Sequence, residues 1–415
     1  MDPYSRRRLL AAGAGAAGGF AALTASRAAP ADPGTAGAVP QPSLYPGRGG
    51  NDPGPRDVTR DRENPDILNP PPQDHGVLPN LRFSFADAHV RQTDGGWTRQ
   101  VTQREFGVSK SIAGVDMRLN RGGTRELHWH KQAEWSYMLY GRARITAVDP
   151  SGRSFVDDVG VGDLWYFPPG VPHSIQGLND DGCEFLLVFD DGGFDEDDTF
   201  LISDWFKHIP PAVLAKNFGV AASDFAHLPS PDQRYIFPLP VPGPLSQDQM
   251  PAHGPVPESL SFRASAMQPR SFKAGSVKII DSSVFKASKN IAAALVEVEP
   301  GGMRELHWHP NTDEWQYYIE GEARMSVFGA SETARTFDYR AGDVGYVPFA
   351  MGHYIENTGS TTLRFLEMFK SPYYADVSLN QWMAMTPPEL VQGHLNLDKQ
   401  VMQALDKTKR AVVGV

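Results

Sequence analysis

The hexapeptide Arg-Glu-Leu-His-Trp-His stands twice in this chain, at residues 125–130 and 304–309, and each copy is followed within a few residues by Glu-Trp, at Glu134 and Glu314. Downstream, Gly162-Asp163, Pro168 and His173 are answered by Gly342-Asp343, Pro348 and His353. His128 and His307 lie 179 positions apart, while His173 and His353 lie 180 apart. The slip falls between the second histidine and the glutamate, His130-Lys-Gln-Ala-Glu134 against His309-Pro-Asn-Thr-Asp-Glu314. Further on, Trp205 with Pro210-Pro211 matches Trp382 with Pro387-Pro388 at an offset of 177, which places three extra residues in the first copy between Phe189 and Trp205. A repeat of this period is a whole domain, so the chain must fold as two homologous bodies of ordinary size.

The 415 residues suffice for two cores, and 40% hydrophobic with 21% charged residues is the composition of a globular protein. Forty Gly and 35 Pro punctuate many short extended segments, which favours an all-β fold. Ala113, Val115, Met117 and Leu119 alternate with Gly114, Asp116 and Arg118, the period of a strand with one buried face. Ala294, Val296 and Val298 repeat that strand. Ala143, Ile145 and Ala147 after Gly141 correspond to Ala323, Met325 and Val327 after Gly321. A net charge of -10 argues against a nucleic-acid partner. The single cysteine, Cys183, opens an apolar run and reads as a buried, inert thiol that cannot form an intrachain disulfide.

Residues 1–31 read as a twin-arginine-type signal peptide. Ser5-Arg6-Arg7-Arg8-Leu9-Leu10 precedes an Ala/Gly-rich apolar stretch over 11–25, and Ala29-Pro30-Ala31 supplies small residues for cleavage. This predicts export to the periplasm or the extracellular space, with no stable membrane insertion because the apolar stretch is short. Residues 32–80 form an extended arm, 81–237 the first domain, 238–260 a Pro-rich linker and 261–415 the second domain. Helices are expected near the domain ends, over 213–218 and, more extensively, 388–406.

On a strand, residues two apart share a face, so His128 and His130 project into the barrel while Trp129 turns outward as a packing residue, like Trp308. Glu134 follows across a short loop and His173 arrives from a later strand; His307, His309, Glu314 and His353 repeat the set. Three neutral nitrogens and a carboxylate suit Mn²⁺, Fe²⁺ or Zn²⁺, and an octahedral ion so bound keeps two adjacent positions open, which favours Mn or Fe for chelating a substrate. Arg125 and Arg304, each three residues before the first histidine, add a cationic contact for a bound anion, or pair with a structural acid.

The spacing Gly122/Gly123, His128-x-His130, Glu134, then Gly162, Pro168, Gly170 and His173 is the cupin pattern, and the second copy repeats it with Ala350 in place of the loop glycine. With Arg-Glu-Leu-His-Trp-His in both halves, Phe189-Asp-Asp-Gly-Gly-Phe194 and Tyr374-Ala-Asp-Val-Ser-Leu-Asn-Gln-Trp382, the chain resembles the bicupin oxalate decarboxylases over roughly residues 75–400. The resemblance implies two tandem double-stranded β-helix (jelly-roll) barrels with short C-terminal helices, one Mn²⁺ per domain, and assembly as a trimer or hexamer. It also implies conversion of oxalate to formate and carbon dioxide with dioxygen as a co-catalyst. Arg125 would orient oxalate, and Glu196, in the region of the three-residue excess, would protonate the product from a mobile loop over the first site. Glu367, aligned with Leu187, would face the second metal cavity or pair with Arg304. Asp195, Asp197 and Asp198 depart from the family's small polar neighbours and are expected to favour the protonated form of Glu196. The rival readings are an oxalate oxidase, which would release peroxide, and a non-catalytic metal-holding bicupin, against which retention of all eight ligands counts.

Overall fold

In the computed structural model, which describes residues 70–230, 234–250 and 254–414, the alternating segments pair into antiparallel sheets in two matched sets. The signal peptide and most of the arm expected from the sequence lie outside the described residues. In the first set, Ala113–Leu119, Glu134–Tyr140, Leu164–Phe167 and Cys183–Phe189 belong to a seven-stranded sheet. Gly123–Trp129, Arg142–Val148, Ser154–Gly160 and His173–Gly177 belong to a six-stranded one. The second set repeats this with Ala292–Val298, Glu314–Glu320, Asp343–Val347 and Leu363–Phe369 in one sheet, and Gly302–Trp308, Glu322–Phe328, Ala334–Arg340 and Gly352–Asn357 in the other. Each pair of sheets closes as a jelly roll, the all-β architecture expected from the punctuation and period-two patterning.

Each barrel takes an edge strand from the other's flank. Arg82–Ser84 pairs with Asp343–Val347, and Ser261–Phe262 pairs with Leu164–Phe167. A division of the chain at residues 81 and 261 therefore cuts across both seven-stranded sheets. The repeated Gly-Asp dipeptides fasten these crossings. Asp343 accepts from Arg82 Nη2 at 2.7 Å, and Asp163 accepts from the Ser265 amide and hydroxyl at 3.1 and 2.6 Å. Their glycines, Gly162 and Gly342, hold φ of 81° and 85°, a turn conformation that costs a side-chain-bearing residue more. Ala350 adopts φ of 61° where Gly170 has 74°, so the second loop keeps the same path against the preference of its residue.

The strand Ala113–Leu119 is buried on both faces, not one. Its second face packs on the other barrel: a Cβ at Gly114 would stand 2.6 Å from the Trp315 ring, and Phe85 meets Tyr317 edge-on at 5.8 Å. Period two reports which residues share a face; it does not report that another domain covers the opposite face. The helices also differ from expectation. Pro211–Phe218 is capped by Gly219 in the left-handed region, as expected near 213–218. The 388–406 stretch splits into Pro388–Leu395 and Lys399–Ala404, because Asn396 turns left-handed at φ of 48°. Ile202–Lys207 and Leu379–Met385, which carry Trp205 and Trp382, are too short for helical periodicity to show.

Asp116 lies on this doubly buried strand with its Oδ1 lacking a hydrogen-bond partner, at a position filled by Leu295 in the other copy. Burial, reinforced by Glu184, pushes its carboxyl up to about 7 against Arg99 and Arg118. The unfolded chain ionises this group first, so its contribution to stability falls as pH rises from about 4 to about 7 and is constant above. Asp116→Asn is expected to remove that loss. Unfolding free energies of the two proteins from denaturant titrations should coincide near pH 4 and separate in favour of the variant by about 1–3 kcal/mol at pH 8.

Candidate metal centres

His128 ends the inward face of Gly123–Trp129, His130 follows it, Glu134 opens the next strand, and His173 opens a strand paired so that it lies opposite His128. The second copy places His307 opposite His353 in the same register. His128, His130, Glu134 and His173 form one buried four-residue metal-binding group, and His307, His309, Glu314 and His353 a second; within each, the ligand atoms lie within 4.8 Å of one another.

Every one of the six imidazoles is aimed by a backbone carbonyl. Nδ1 stands 2.5 Å from Glu126 O in His128, 2.8 Å from Gln132 O in His130 and 2.8 Å from Val171 O in His173. The second-site distances are 2.6 Å to Glu305 O, 2.8 Å to Ala375 O and 3.1 Å to Met351 O for His307, His309 and His353. A carbonyl only accepts, so Nδ1 carries the proton and Nε2 presents its lone pair inward. Nε2 of His130 and His173 then lie 3.2 and 3.4 Å from Glu134 Oε2, and Nε2 of His309 and His353 lie 3.1 and 2.8 Å from Glu314 Oε2. Acceptors held this close repel unless a cation sits among them, and the residues present fit a divalent metal ion. Burial keeps His128 and His307 well below the usual imidazole range, helped by Arg125 and Arg304, so both remain neutral ligands.

The two carboxylates are oriented by different partners. Trp165 Nε1 donates to Glu134 Oε1 at 3.0 Å, whereas Gln316 Nε2 donates to Glu314 Oε1 at 2.8 Å. Strand register explains the exchange: Ser136 lies opposite Trp165 in one barrel, and Gln316 lies opposite Gly345 in the other. A small residue faces a large donor in each case, with the roles of the two strands reversed.

The surroundings diverge further. In the first site, Arg125 Nη1 donates to Tyr235 O at 3.2 Å and its guanidinium lies 3.9 Å from the Tyr235 ring centre. Among the described residues no carboxylate lies within ion-pair distance of Arg125. Glu196 is buried beside it, accepting from Thr98 Oγ1 at 2.8 Å and from the Tyr235 hydroxyl. Burial raises the Glu196 carboxyl, opposed by Tyr235, Arg125 and Thr98. The neighbouring acids are not the cause expected from the sequence: Asp195 turns to Arg104 and Asp197 to Arg91, each at 2.9 Å. In the second site Arg304 is enclosed, donating to Glu367 at 3.1 Å, Asp376 at 2.6 Å, Tyr374 Oη at 2.8 Å and Ala411 O at 3.2 Å. Glu367 thus pairs with Arg304. Tyr235, Thr98, Trp165, Gln316 and Asp376 were not legible as site residues. The departures Ser136/Gln316 and Trp165/Gly345 between the two copies are the one signal that bore on them.

Because the two groups share no ligand, His128→Ala and His307→Ala are each expected to lower bound divalent metal from two to one per chain, and the double variant to about zero. Metal content by plasma mass spectrometry on the folded proteins checks this.

The cupin family pattern matches residues 84–224 and 264–403. Oxalate decarboxylase OxdC of Bacillus subtilis is 57% identical over 360 residues, covering 86% of this chain and 93% of that protein. A probable oxalate decarboxylase of Arthroderma benhamiae is 40% identical over 406 residues, covering 95% and 99%. The Bacillus subtilis enzyme, in a crystal structure concerned with its Mn(II) centres, aligns with a TM-score of 0.87 at 55% identity, over 90% of this chain and 99% of that one. With the duplicated ligand set and jelly-roll pair in place, the chain belongs to the cupin family, as a two-domain member of its oxalate decarboxylase branch.

Proposed function

We propose that this chain is a Mn²⁺-dependent, dioxygen-requiring oxalate decarboxylase, taking hydrogen oxalate to formate and carbon dioxide at its first site. The observation that carries this reading is Glu196, a buried carboxyl acted on by Arg125 and carried on a segment whose Phe194 lies against the metal-group residue His130. Bound Mn²⁺, with dioxygen as co-catalyst, would supply the one-electron chemistry that weakens the carbon–carbon bond; three imidazoles and a carboxylate leave coordination positions for the substrate. Arg125 pairs with an oxalate carboxylate and fixes its orientation. Glu196, kept protonated by burial to higher pH than an ordinary carboxyl, supplies the proton that becomes the formate hydrogen. Thr98 and Tyr235 hold its two oxygens in place.

The segment from Asp190 to Thr199 closes the site against water. Phe194 stacks on Phe189 at 3.6 Å, and both rings lie edge-on to His130. Its outer hold consists of the Arg91–Asp197 and Arg104–Asp195 pairs, in which Asp197 is 80% and Arg104 63% exposed. Such pairs contribute roughly 0–1 kcal/mol each, so they add little to the cost of opening the loop, which is set by the buried bonds of Glu196 and the packing of Phe194. Exclusion of water and delivery of a proton distinguish decarboxylation from oxidation to peroxide.

Two further readings accompany this one. The motif over residues 5–31 supports export by a twin-arginine-type route to the periplasm or beyond. Exposed Trp205, Phe218, Trp382 and Met385 on the helical flanks support a homo-oligomer, a trimer or hexamer by family resemblance.

Product analysis of Mn-loaded protein with ¹³C-oxalate in air at mildly acidic pH tests the function. Equimolar formate and carbon dioxide are expected; peroxide without formate would make it an oxidase, and neither product a metal-holding protein. Glu196→Gln is expected to lower formate production by about 100-fold or more, and undiminished formate would remove Glu196 from the proton-donor role.

A further inference from the structure

We propose that Asp376 is a built-in anion that keeps the second metal centre shut to a carboxylate substrate, by occupying the guanidinium whose first-domain counterpart is left open. The inference rests on the reading of oxalate as the substrate, and deepens it by assigning the closure of the second site to a carboxylate that the first site lacks.

Strand pairing sets the correspondence. Leu201 lies opposite His128 and Ser378 opposite His307, so Thr199 and Asp376, two residues earlier, occupy matching places. Ile236 lies opposite Arg125 and Val412 opposite Arg304, which makes Tyr235 and Ala411 equivalent. Both arginines donate to that residue's carbonyl at 3.2 Å. Beyond this shared bond the sites part. Thr199 places a buried hydroxyl without a partner where Asp376 places a carboxylate 2.6 Å from Arg304 Nη2. Leu187 gives way to Glu367, 3.1 Å from Arg304 Nε. The charge at the second site therefore closes on itself: Arg304 and Lys409 face Glu367 and Asp376, with Lys409 Nζ bonded to both the Asp376 carboxylate and its carbonyl. A buried guanidinium bonded to a carbonyl and stacked on a ring, with no carboxylate at ion-pair distance among the described residues, as at Arg125, is incompletely compensated and suited to an anionic ligand. Arg304, 0% exposed and holding two carboxylates, is not.

The segment carrying the anion is also tied to the metal group itself. His309 Nδ1 donates to Ala375 O at 2.8 Å, next to Asp376, whereas His130 Nδ1 donates to Gln132 O in its own loop, so no metal-ligating imidazole is hydrogen-bonded to the Glu196 segment. The first site thus has a segment held through Asp190, Asp195, Glu196 and Asp197 but not through a metal-ligating imidazole, and the second has a latch fastened at a metal ligand, at Arg304 and at Lys409.

The test is equilibrium dialysis of ¹⁴C-oxalate against the full-length, Mn-loaded protein without dioxygen, so that binding is read without turnover. The unmodified protein is expected to bind one oxalate per chain, and Arg125→Ala to lose it. Asp376→Asn, near-isosteric, and Asp376→Thr, which copies the first domain, are each expected to bind two, with two Mn retained. The reciprocal Thr199→Asp is expected to weaken first-site binding at least tenfold, and it decides the matter if neither Asp376 variant holds its metals. Two oxalates in the unmodified protein, one in a metal-replete Asp376 variant, or unweakened binding by Thr199→Asp would overturn the latch alone. No oxalate bound by the unmodified protein would overturn the functional reading, and this inference with it.

Discussion

A backbone carbonyl taking the Nδ1 proton of a histidine is the contact on which both centres depend. It is made six times, at 2.5–3.1 Å, and each time it turns the Nε2 lone pair toward one point. The consequence is a cluster of imidazole acceptors around a buried carboxylate whose Oε1 has a donor, in Trp165 or Gln316, while its Oε2 faces the imidazole lone pairs, an arrangement that protein alone makes unfavourable. Cation binding and barrel stability are therefore linked, and the jelly roll serves as the frame that keeps four converging ligands from relaxing apart.

On that common frame a few substitutions separate the two sites. Glu367, Ala411 and Asp376 each take a hydrogen bond from the Arg304 guanidinium, and Leu187, Tyr235 and Thr199 stand at the matching positions of the first domain. In the first domain they leave Arg125 stacked on an aromatic ring, with room for a carboxyl raised by burial. In the second they surround Arg304 with acids. The backbone hardly changes, since His128 and His307 meet His173 and His353 in the same register. Electrostatic character has diverged on a conserved geometry, as expected where fold stability comes from strands and chemistry from side chains at their ends.

The interface between barrels imposes its own constraint. Gly114 accommodates Trp315, Arg82–Ser84 and Ser261–Phe262 cross to the opposite sheets, and the repeated Gly-Asp dipeptides secure the crossings. Asn290 Nδ2 donates to Asp190 at 2.7 Å, so the root of the Glu196 segment is braced by the second domain. The second barrel thus supports the first site mechanically, whatever its own metal does.

What the sequence determined by itself was carried by short spacing. His-x-His on a two-residue period, the following glutamate and the late histidine name the ligands. The 179-residue repeat names two domains, and the local excess before Trp205 marks a segment peculiar to the first. Tertiary structure alone decided the partners of the two arginines and of Glu196. Thr98 and Tyr235 lie 98 and 39 residues from Glu196, and Glu367 and Asp376 lie 63 and 72 residues from Arg304. Such contacts leave no periodic trace, because they follow from strand register and barrel closure, which the packing of the whole domain sets. Burial likewise is a property of the assembled barrels, and it is burial that raises Glu196 while its acidic neighbours turn outward to Arg91 and Arg104.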